Sequence, residues 1–320
     1  MAFNSKQSTI FRQFFLSIPR FVHRPIQYAL APLFKDPTFY ANSKYFRKEF
    51  KSEDGIIKDI YDGKVNQKHC VPITNVKGGH SLIFESDGVS PYGSGSSTFW
   101  PIFLAVNELP KSLRFLFRYM LCIGCWSGSA PDFNVFLSPF LKEIKDLYEK
   151  GVTLKTPKGK SIVVKAIIAP FTCDLSAKSK IFGTIGFGGF FGCLQCKNHG
   201  EKLTAKRFYY PTSVGEDEDV SELNKRRTDA EMRQLADDLS QDLVELSEDE
   251  LIGMKYRTIL FDFPVFEFVS GQTWDWMHGF CLGIFKTIML LMFLSNYSKE
   301  KWYLEKVIHI LQKRSKALKN

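Results

Sequence analysis

Two cysteines with metal-ligand spacing stand in the glycine-rich stretch GFFGCLQCKNHG, at positions 189 to 200. They are Cys193 and Cys196. A pair of thiols three positions apart supplies half of a tetrahedral zinc site, and the same pair could instead form a disulfide or have no chemical role. The pair alone does not decide between these, because the other half of a zinc site must come from elsewhere in the chain.

The best candidate to complete a zinc site is His278, in the stretch DWMHGFCLG. Asp275 lies three residues before it, where its carboxylate can orient the imidazole ring. For a fourth ligand we favour Cys281, which shares a helix face with His278, and His199 is the second choice. The alternative for His278 is an ordinary core histidine.

A second Cys-x-x-Cys, formed by Cys122 and Cys125, lies inside the apolar run MLCIGCW. Alternation along a strand predicts that the two thiols point to opposite faces of the sheet. Two such thiols cannot share one ion, so we interpret them as small core residues. The sequence contains seven cysteines, an odd number, and no signal peptide is recognised. This pattern favours a reducing compartment, where thiols stay free or bind metal.

Two carboxylates, Asp87 and Asp174, end two predicted strands. Each has an ordinary structural explanation, because Asp-Gly is a common turn and Asp often caps a helix. If the strands are neighbours, however, the two carboxylates can share divalent ions that activate water on a phosphodiester. Mg²⁺ prefers hard oxygen ligands of this kind.

The predicted elements are three strands, a helix, a strand and further helices. Apolar runs around positions 80, 100 and 120 predict the strands, and Asp132 and Gly151 bound a helix with a 3.6-residue apolar stripe. A hairpin with its turn at Pro157 to Gly159 leads into a long β-branched strand. This order predicts an α/β fold, a ribonuclease-H-like mixed sheet with flanking helices.

Charge is distributed unevenly along the chain. The net charge is +9, but residues 216–250 carry −10, so the remainder carries +19 and suits a nucleic-acid partner. The first 35 residues contain no carboxylate, which predicts a basic helix docked on the domain or, as the alternative, a mitochondrial transit segment. The apolar run 283–294 is short for a bilayer and contains Lys286, so we predict a buried helix that starts near Asp275.

Six short motifs in order resemble the CACTA-type transposases of the Tnp2 kind, from about Ile56 to Met292. They are ESDGVSPYGSGSSTFWPIFLAVNELP, FLSPFLKEIKDLYEKGV, AIIAPFTCDLSAKSKIFG, GCLQC, RRTDAEMR and WDWMHGFCLGIFK. The family that the sequence resembles is a member of the wider DDE (Asp, Asp, Glu) group, which has a ribonuclease-H-like nuclease and includes the V(D)J recombinase catalytic subunit. The resemblance implies that Asp87 and Asp174 are the first two acids, binding Mg²⁺ or Mn²⁺. It also implies that Cys193 and Cys196 bind structural zinc with His278.

The resemblance further implies a division of the chain. We expect a basic N-terminal arm (1–55), a catalytic core (56–190), a zinc-associated acidic insertion (191–275) and a helical return segment (276–320). The family's third acid lies on a later helix, in a Trp-x-x-x-Glu context that this sequence lacks. Glu300 and Glu305 are the nearby carboxylates, and we interpret them as exposed helix residues.

The function expected from the resemblance is that of a transposase-derived protein. The ancestral activity is two-metal cleavage of DNA and strand transfer, and this chain is expected to be a truncated or domesticated copy. A catalytically inactive, zinc-stabilised DNA-binding or protein-interaction remnant is the alternative. The expected partners are transposon ends and target DNA, with a homodimer and no membrane, in the nucleus or, as a weaker alternative, the mitochondrion. Lys165, Lys178, Lys180 and Arg207 are the candidates for phosphate contacts.

Overall fold

The computed structural model describes most of the chain, in two compact units. The described residues are 19–90, 98–204, 207–210, 225–240, 251–294, 296, 299 and 303–304. The first unit is Met1–Thr273 and the second is Trp274–Asn320. Glu300 and Glu305 lie outside the described residues.

The regular elements of the described ranges are strands, α-helices and short 3₁₀ or π turns. The strands are β1 (Arg20–His23), β2 (Gly79–Glu85), β3 (Thr98–Val106), β4 (Leu121–Gly128), β5 (Val152–Lys155), β6 (Ser161–Thr172), β7 (Glu201–Thr204), β8 (Arg207–Tyr209) and β9 (Gln272–Thr273). The α-helices are α1 (Ile26–Lys35), α2 (Pro37–Asn42), α3 (Tyr45–Lys48), α4 (Val71–Thr74), α5 (Lys111–Arg114), α6 (Phe133–Glu149), α7 (Leu175–Ile181), α8 (Asp229–Ser240) and α9 (Lys286–Phe293). The 3₁₀ turns are Ile60–Asp62, Phe117–Tyr119, Gly186–Gly188 and Ile259–Asp262, and the π-helical segments are Asn66–Cys70 and Trp276–Phe285.

A mixed seven-stranded sheet organises the first unit. Its order is β1-β4-β3-β2-β6-β5, and β9 also pairs with β6. The strands from β1 to β2 are antiparallel neighbours, whereas β2, β6 and β9 run parallel. β5 pairs antiparallel with the first part of β6. This α/β arrangement with flanking helices is compatible with the predicted ribonuclease-H-like fold.

Burial explains why β2 and β6 occupy the centre of the sheet. Six of the seven residues of β2 are buried, so the strand has no polar face to turn toward water. Phe84 of β2 packs on Phe140 of α6 and Phe171 of β6, with ring centroids 5.3 and 5.1 Å apart. The apolar stripe of α6 therefore covers one side of the sheet. Asp132 caps this helix as predicted, accepting from the amides of Asn134 and Val135.

The segment predicted as a basic arm contributes to the sheet and core. β1 pairs with β4, and α1 buries five apolar side chains. Glu143 of α6 ties this segment down, because one carboxylate oxygen accepts from the amide of Ile26 at 2.7 Å and the other lies 2.9 Å from His23 Nε2. The stretch predicted as a basic helix, residues 8–24, forms strand β1 at Arg20–His23, so the helix prediction was wrong for this part. Residues 1–18 lie outside the described residues.

The prediction for Cys122 and Cys125 was wrong. Cys122 of β4 pairs with Phe103 of β3, Gly124 with Ile102, and Cys125 with Pro101. Between Cys122 and Gly124, β4 therefore has one residue more than β3, and the register shifts there. This β-bulge breaks the alternation and brings both cysteines to one face of the sheet. Cys122 is exposed and Cys125 is partly buried, so neither is a core residue. Burial and, to a smaller extent, the nearby Cys122 raise the pKa of Cys125 to about 11.

The second unit contains the apolar segment that we predicted to be a buried helix. Residues Trp276–Phe285 form a π-helical segment that continues into α9, and neither element has a buried residue. The prediction of burial was therefore wrong for this structure. By length and composition, Trp276–Phe293 is apolar enough to cross a membrane, with a mean hydropathy of 1.5. Trp276 and Phe280 stack on its surface at 4.3 Å.

Candidate active site and cysteine loop

The two predicted acids follow the ends of adjacent parallel strands. Glu85 of β2 pairs with Thr172 of β6, and Asp87 and Asp174 each lie two residues beyond this pair. Adjacent strands are about 4.8 Å apart, so the two aspartates leave the sheet side by side at the same edge. The sequence predicted where the two strands end, and the parallel register of β2 and β6 brings these ends together.

Local hydrogen bonds fix the backbone around each aspartate. Asp87 Oδ1 accepts from the amide of Gly88 at 2.6 Å. Asp174 caps α7, since its Oδ1 accepts from the amide of Ala177 at 2.5 Å. The cap predicted at Asp174 is therefore confirmed. No turn is assigned at Asp87 and Gly88, so the turn predicted for this dipeptide is wrong. The two hydrogen bonds restrict the position of each carboxylate.

An aromatic side chain supports the loop that contains Asp87. A Cβ atom added at Gly88 would overlap the ring of Trp100 of β3, so the loop packs directly on this ring. The ammonium of Lys180 lies 5.0 Å from the centre of the same ring, and Lys180 is exposed. Trp100 thus connects the Asp87 loop to a cation on α7, in an arrangement that favours a cation–π contact.

Two of the predicted phosphate contacts, Lys178 and Lys165, bind backbone carbonyls instead. Lys178 is buried and donates to the backbone carbonyl of Thr273, so its prediction as a surface phosphate contact was wrong. Lys165 donates to the carbonyl of Glu149 at 2.6 Å. The side chain of Arg207 lies outside the described part of the chain.

A buried thiol, Cys173, lies between the two strand ends. Burial raises its pKa to about 12, against the opposing effects of a backbone hydrogen bond with Ser86 and the charge of Lys178. Cys173 therefore stays protonated at neutral pH and packs as an apolar side chain. The hard oxygen donors at this edge are carboxylates. Within the described residues, no group of three or more His, Cys, Asp or Glu side chains is arranged to hold a metal ion.

The loop of Cys193 and Cys196 is folded as a tight thiol-centred turn. Cys193 Sγ accepts from the amide of Gln195 at 3.4 Å and from that of Cys196 at 3.3 Å. The two thiols contact each other, and burial is the main cause that raises the pKa of Cys196. The two amide bonds fix the position of the Cys193 sulfur beside that of Cys196. The turn thus brings two sulfur atoms together in a way suited to one ion.

The side chain of Arg227 stabilises the backbone of this turn. The guanidinium is buried and donates to the carbonyls of Cys196, Ile252 and Phe191 at 2.9, 2.5 and 3.1 Å. Burial lowers its pKa, while the neighbouring Cys193 and Cys196 raise it. The sequence analysis did not single out Arg227, because one arginine of the RRTDAEMR motif cannot be distinguished from its neighbours by composition.

The remaining predicted zinc ligands are His278, Cys281 and His199. His278 and Cys281 belong to the second unit, so their assignment with the cysteine pair stays a prediction. The contact predicted with Asp275 is present, as its Oδ2 lies 2.5 Å from His278 Nδ1. When Nδ1 donates to this carboxylate, Nε2 carries the lone pair that can bind a metal. His199 instead stacks on Phe190, with centroids 4.8 Å apart.

Comparison with known proteins identifies the family. The sequence model described as "Transposase family tnp2" matches residues 68–254, which is more than half of the chain and includes both aspartates and the cysteine pair. The chain belongs to the tnp2 transposase family. None of the curated proteins compared with it matches. Membership in the tnp2 family confirms the resemblance found in the sequence, implies DNA as a partner and is consistent with the use of divalent metals in general.

Proposed function

We propose that this tnp2-family chain carries the nuclease centre of a transposase, with Asp87 and Asp174 as the metal-binding carboxylates. The observation that supports the proposal most is the pairing of Glu85 with Thr172, because it brings the strand ends that precede the two aspartates to the same edge of the sheet. The reaction class is attack by water on a DNA phosphodiester, which releases a 3′-hydroxyl. That hydroxyl then attacks a phosphodiester of the target DNA.

The donor set fits a divalent ion such as Mg²⁺. Such an ion is commonly bound by one or two carboxylates, with waters and substrate phosphates completing its shell. Asp87 and Asp174 supply two carboxylates, and the buried Cys173 thiol, with its raised pKa, does not compete as a soft ligand. When bound here, divalent ions would lower the pKa of the attacking water and offset charge on the phosphodiester.

The protein's own contribution would be positioning. The hydrogen bond from the Gly88 amide to Asp87 and the helix cap at Asp174 hold the carboxylates in place, while Trp100 limits movement of the Asp87 loop. Lys180, exposed beside this ring, is suited to contact a DNA phosphate. Phosphate contacts of this kind orient the duplex without reading its sequence. A DNA substrate makes the nucleus the expected location of the protein.

Plasmid nicking tests the proposal. The purified chain should convert supercoiled plasmid to the open form in Mg²⁺ or Mn²⁺ but not in EDTA, and Asp87→Ala with Asp174→Ala should abolish this conversion. Asp146→Ala is the matched control, because Asp146 is a carboxylate on α6 that pairs with Lys150 at the surface. Nicking that survives the double substitution would refute the assignment of the two aspartates.

A second candidate function is a non-enzymatic DNA-binding remnant folded around zinc. It is favoured by the lack of a third grouped carboxylate among the described residues. Such a protein would bind DNA with a steep loss of affinity on added salt and would not nick it under any divalent condition. DNA binding without nicking selects this candidate, and a chain that does not bind DNA even at low salt contradicts both.

A further inference from the structure

A cleft of about 670 Å³ opens beside the cysteine loop, on the first unit. Its walls come from the loop after α7, from β8 and from the segment 251–255. Four rings line it, contributed by Phe190, Phe191, His199 and Phe208. Neither the carboxylate pair nor the thiols of Cys193 and Cys196 are among its lining residues, so it is separate from both sites described above.

The rings of the cleft are arranged as a stacking platform. His199 is exposed and lies nearly parallel to Phe190, with an interplanar angle of 18°. Phe208 meets Phe190 edge-on at 5.1 Å, and Phe191 meets His199 edge-on at the same distance. The edge contacts fix the orientation of the parallel pair. Another flat ring system could continue this stack, and a nucleobase has a π-face suited to it.

The charge of the cleft favours an anionic ligand. Lys255 lines it and is exposed, and no carboxylate is found among its lining residues in the described part of the chain. A flat ring with an attached phosphate satisfies both the aromatic walls and the cation. An apolar peptide side chain would fill the space without using the lysine, so the chemistry of the cleft fits a nucleotide better.

The position of the cleft relates it to the carboxylates. Asp174 caps the start of α7, and Gly183, just after its end, accepts from the amide of Lys255 at 2.7 Å. The seven residues of α7 rise about 1.5 Å each, so the helix separates the cap from the start of this wall by roughly 10 Å. Stacked nucleotides are spaced by about 3.4 Å along a strand, so this distance corresponds to about three nucleotides.

We propose that this cleft binds an unpaired nucleobase of the DNA substrate, about three nucleotides from the phosphate at Asp87 and Asp174. The inference rests on the proposed function, because it takes DNA as the substrate. Phe190 and His199 provide the stacking surface, and Lys255 contacts the adjoining phosphate. Removing a base from its duplex costs a few kcal/mol, so binding favours DNA that is already single-stranded or mismatched.

Fluorescence binding with the full chain tests this inference. A single-stranded oligonucleotide containing 2-aminopurine should bind with quenching of the probe, and Phe190→Ala should weaken its binding at least about 5-fold. Binding to a blunt duplex of the same sequence should change less than 2-fold. Lys255→Ala should reduce the slope of affinity against salt by about one unit on both logarithmic scales. Phe117→Ala is the control, since Phe117 is 89% exposed and does not line the cleft.

Two further variants keep the result clear if Phe190→Ala fails to fold. Phe190→Trp retains a flat face and should keep single-strand binding, whereas Phe190→Leu retains apolar volume and should lose it. Equal losses for single strand and duplex, or unchanged binding in Phe190→Leu, would overturn the inference. Nicking is scored separately: a chain that nicks without single-strand preference contradicts only this inference, and one that prefers single strands without nicking contradicts only the proposed activity.

Discussion

Replacing Glu108 with glutamine is expected to tilt the pH dependence of folding stability. Glu108 follows β3 with no solvent exposure, and both of its carboxylate oxygens accept from the amide of Ser81 at 3.0 Å. The hydroxyl of Ser81 donates to Oε1 at 2.7 Å. Burial raises the pKa of Glu108 from 4.5 to about 7, against the opposing effects of the Ser81 bonds and the charge of Arg47.

A buried histidine nearby, His80, affects the pH dependence of folding stability in the opposite direction. His80, beside Ser81 on β2, packs edge-on against Phe34 at 5.3 Å, and its Nδ1 lies 3.0 Å from the carbonyl of Gly78. Burial lowers the pKa of His80 from 6.5 to about 4; the Gly78 contact raises it and the charge of Arg47 lowers it. The two residues therefore titrate abnormally over overlapping ranges of pH.

The signs follow from which state binds the proton. Folded Glu108 keeps its proton where the unfolded chain loses it, so its contribution to stability is complete below pH 4.5 and is lost as pH rises through about 7. His80 contributes fully above pH 6.5, and its contribution is lost as pH falls through about 4. Each interval spans 2.5 pH units, which corresponds to about 3 kcal/mol of unfolding free energy. Between pH 4.5 and 6.5 the contribution of Glu108 falls with rising pH while that of His80 rises, so in the unsubstituted chain the two pH dependences largely cancel.

Urea unfolding at a series of pH values between 4 and 8 measures this balance. Relative to the unsubstituted chain, Glu108→Gln should gain up to about 3 kcal/mol as pH rises from 4.5 to 7. Any loss of a hydrogen bond to Ser81 shifts the whole curve without tilting it, so the tilt is the test. His80→Gln serves as the matched variant and should tilt the curve the other way. Curves parallel to that of the unsubstituted chain in both variants would refute the assignment of these two groups.

Two substitutions test the supports of the candidate sites. Gly88→Ala adds a methyl group against the ring of Trp100, so it should destabilise the fold by about 1–3 kcal/mol relative to Gly188→Ala, where nothing lies within 4 Å. Thermal denaturation measures this difference, and equal stability of the two variants would contradict the close packing. Plasmid nicking by Gly88→Ala should also fall below that of the unsubstituted chain. Cys193→Ser should lower metal content from about one zinc per chain and open the segment between Gly192 and His278 to proteolysis. Zinc-free protein from a chelator-free purification, or an unchanged protease pattern, would count against the zinc site, whereas a reductant alone reproducing the variant would indicate a disulfide.

The amino-acid sequence determined the local elements and the family. The stripe of α6, its Asp132 cap, the hairpin before β6 and the carboxylates at the strand ends all depend on residues a few positions apart. Such features are set by side-chain period and backbone capping, which operate within one or two turns or strand pairs. The motif order identified the tnp2 family, and its sequence model confirms it.

The tertiary structure decided which of these elements meet. The adjacency of Asp87 and Asp174 requires β2 and β6 to pair in parallel across about 80 residues, and the burial of Lys178 requires a carbonyl at Thr273. The bulge in β4, which puts Cys122 and Cys125 on one face, exists only in relation to β3. Register and bulges depend on packing between strands that are far apart in the sequence, so a short stretch of sequence does not predict them.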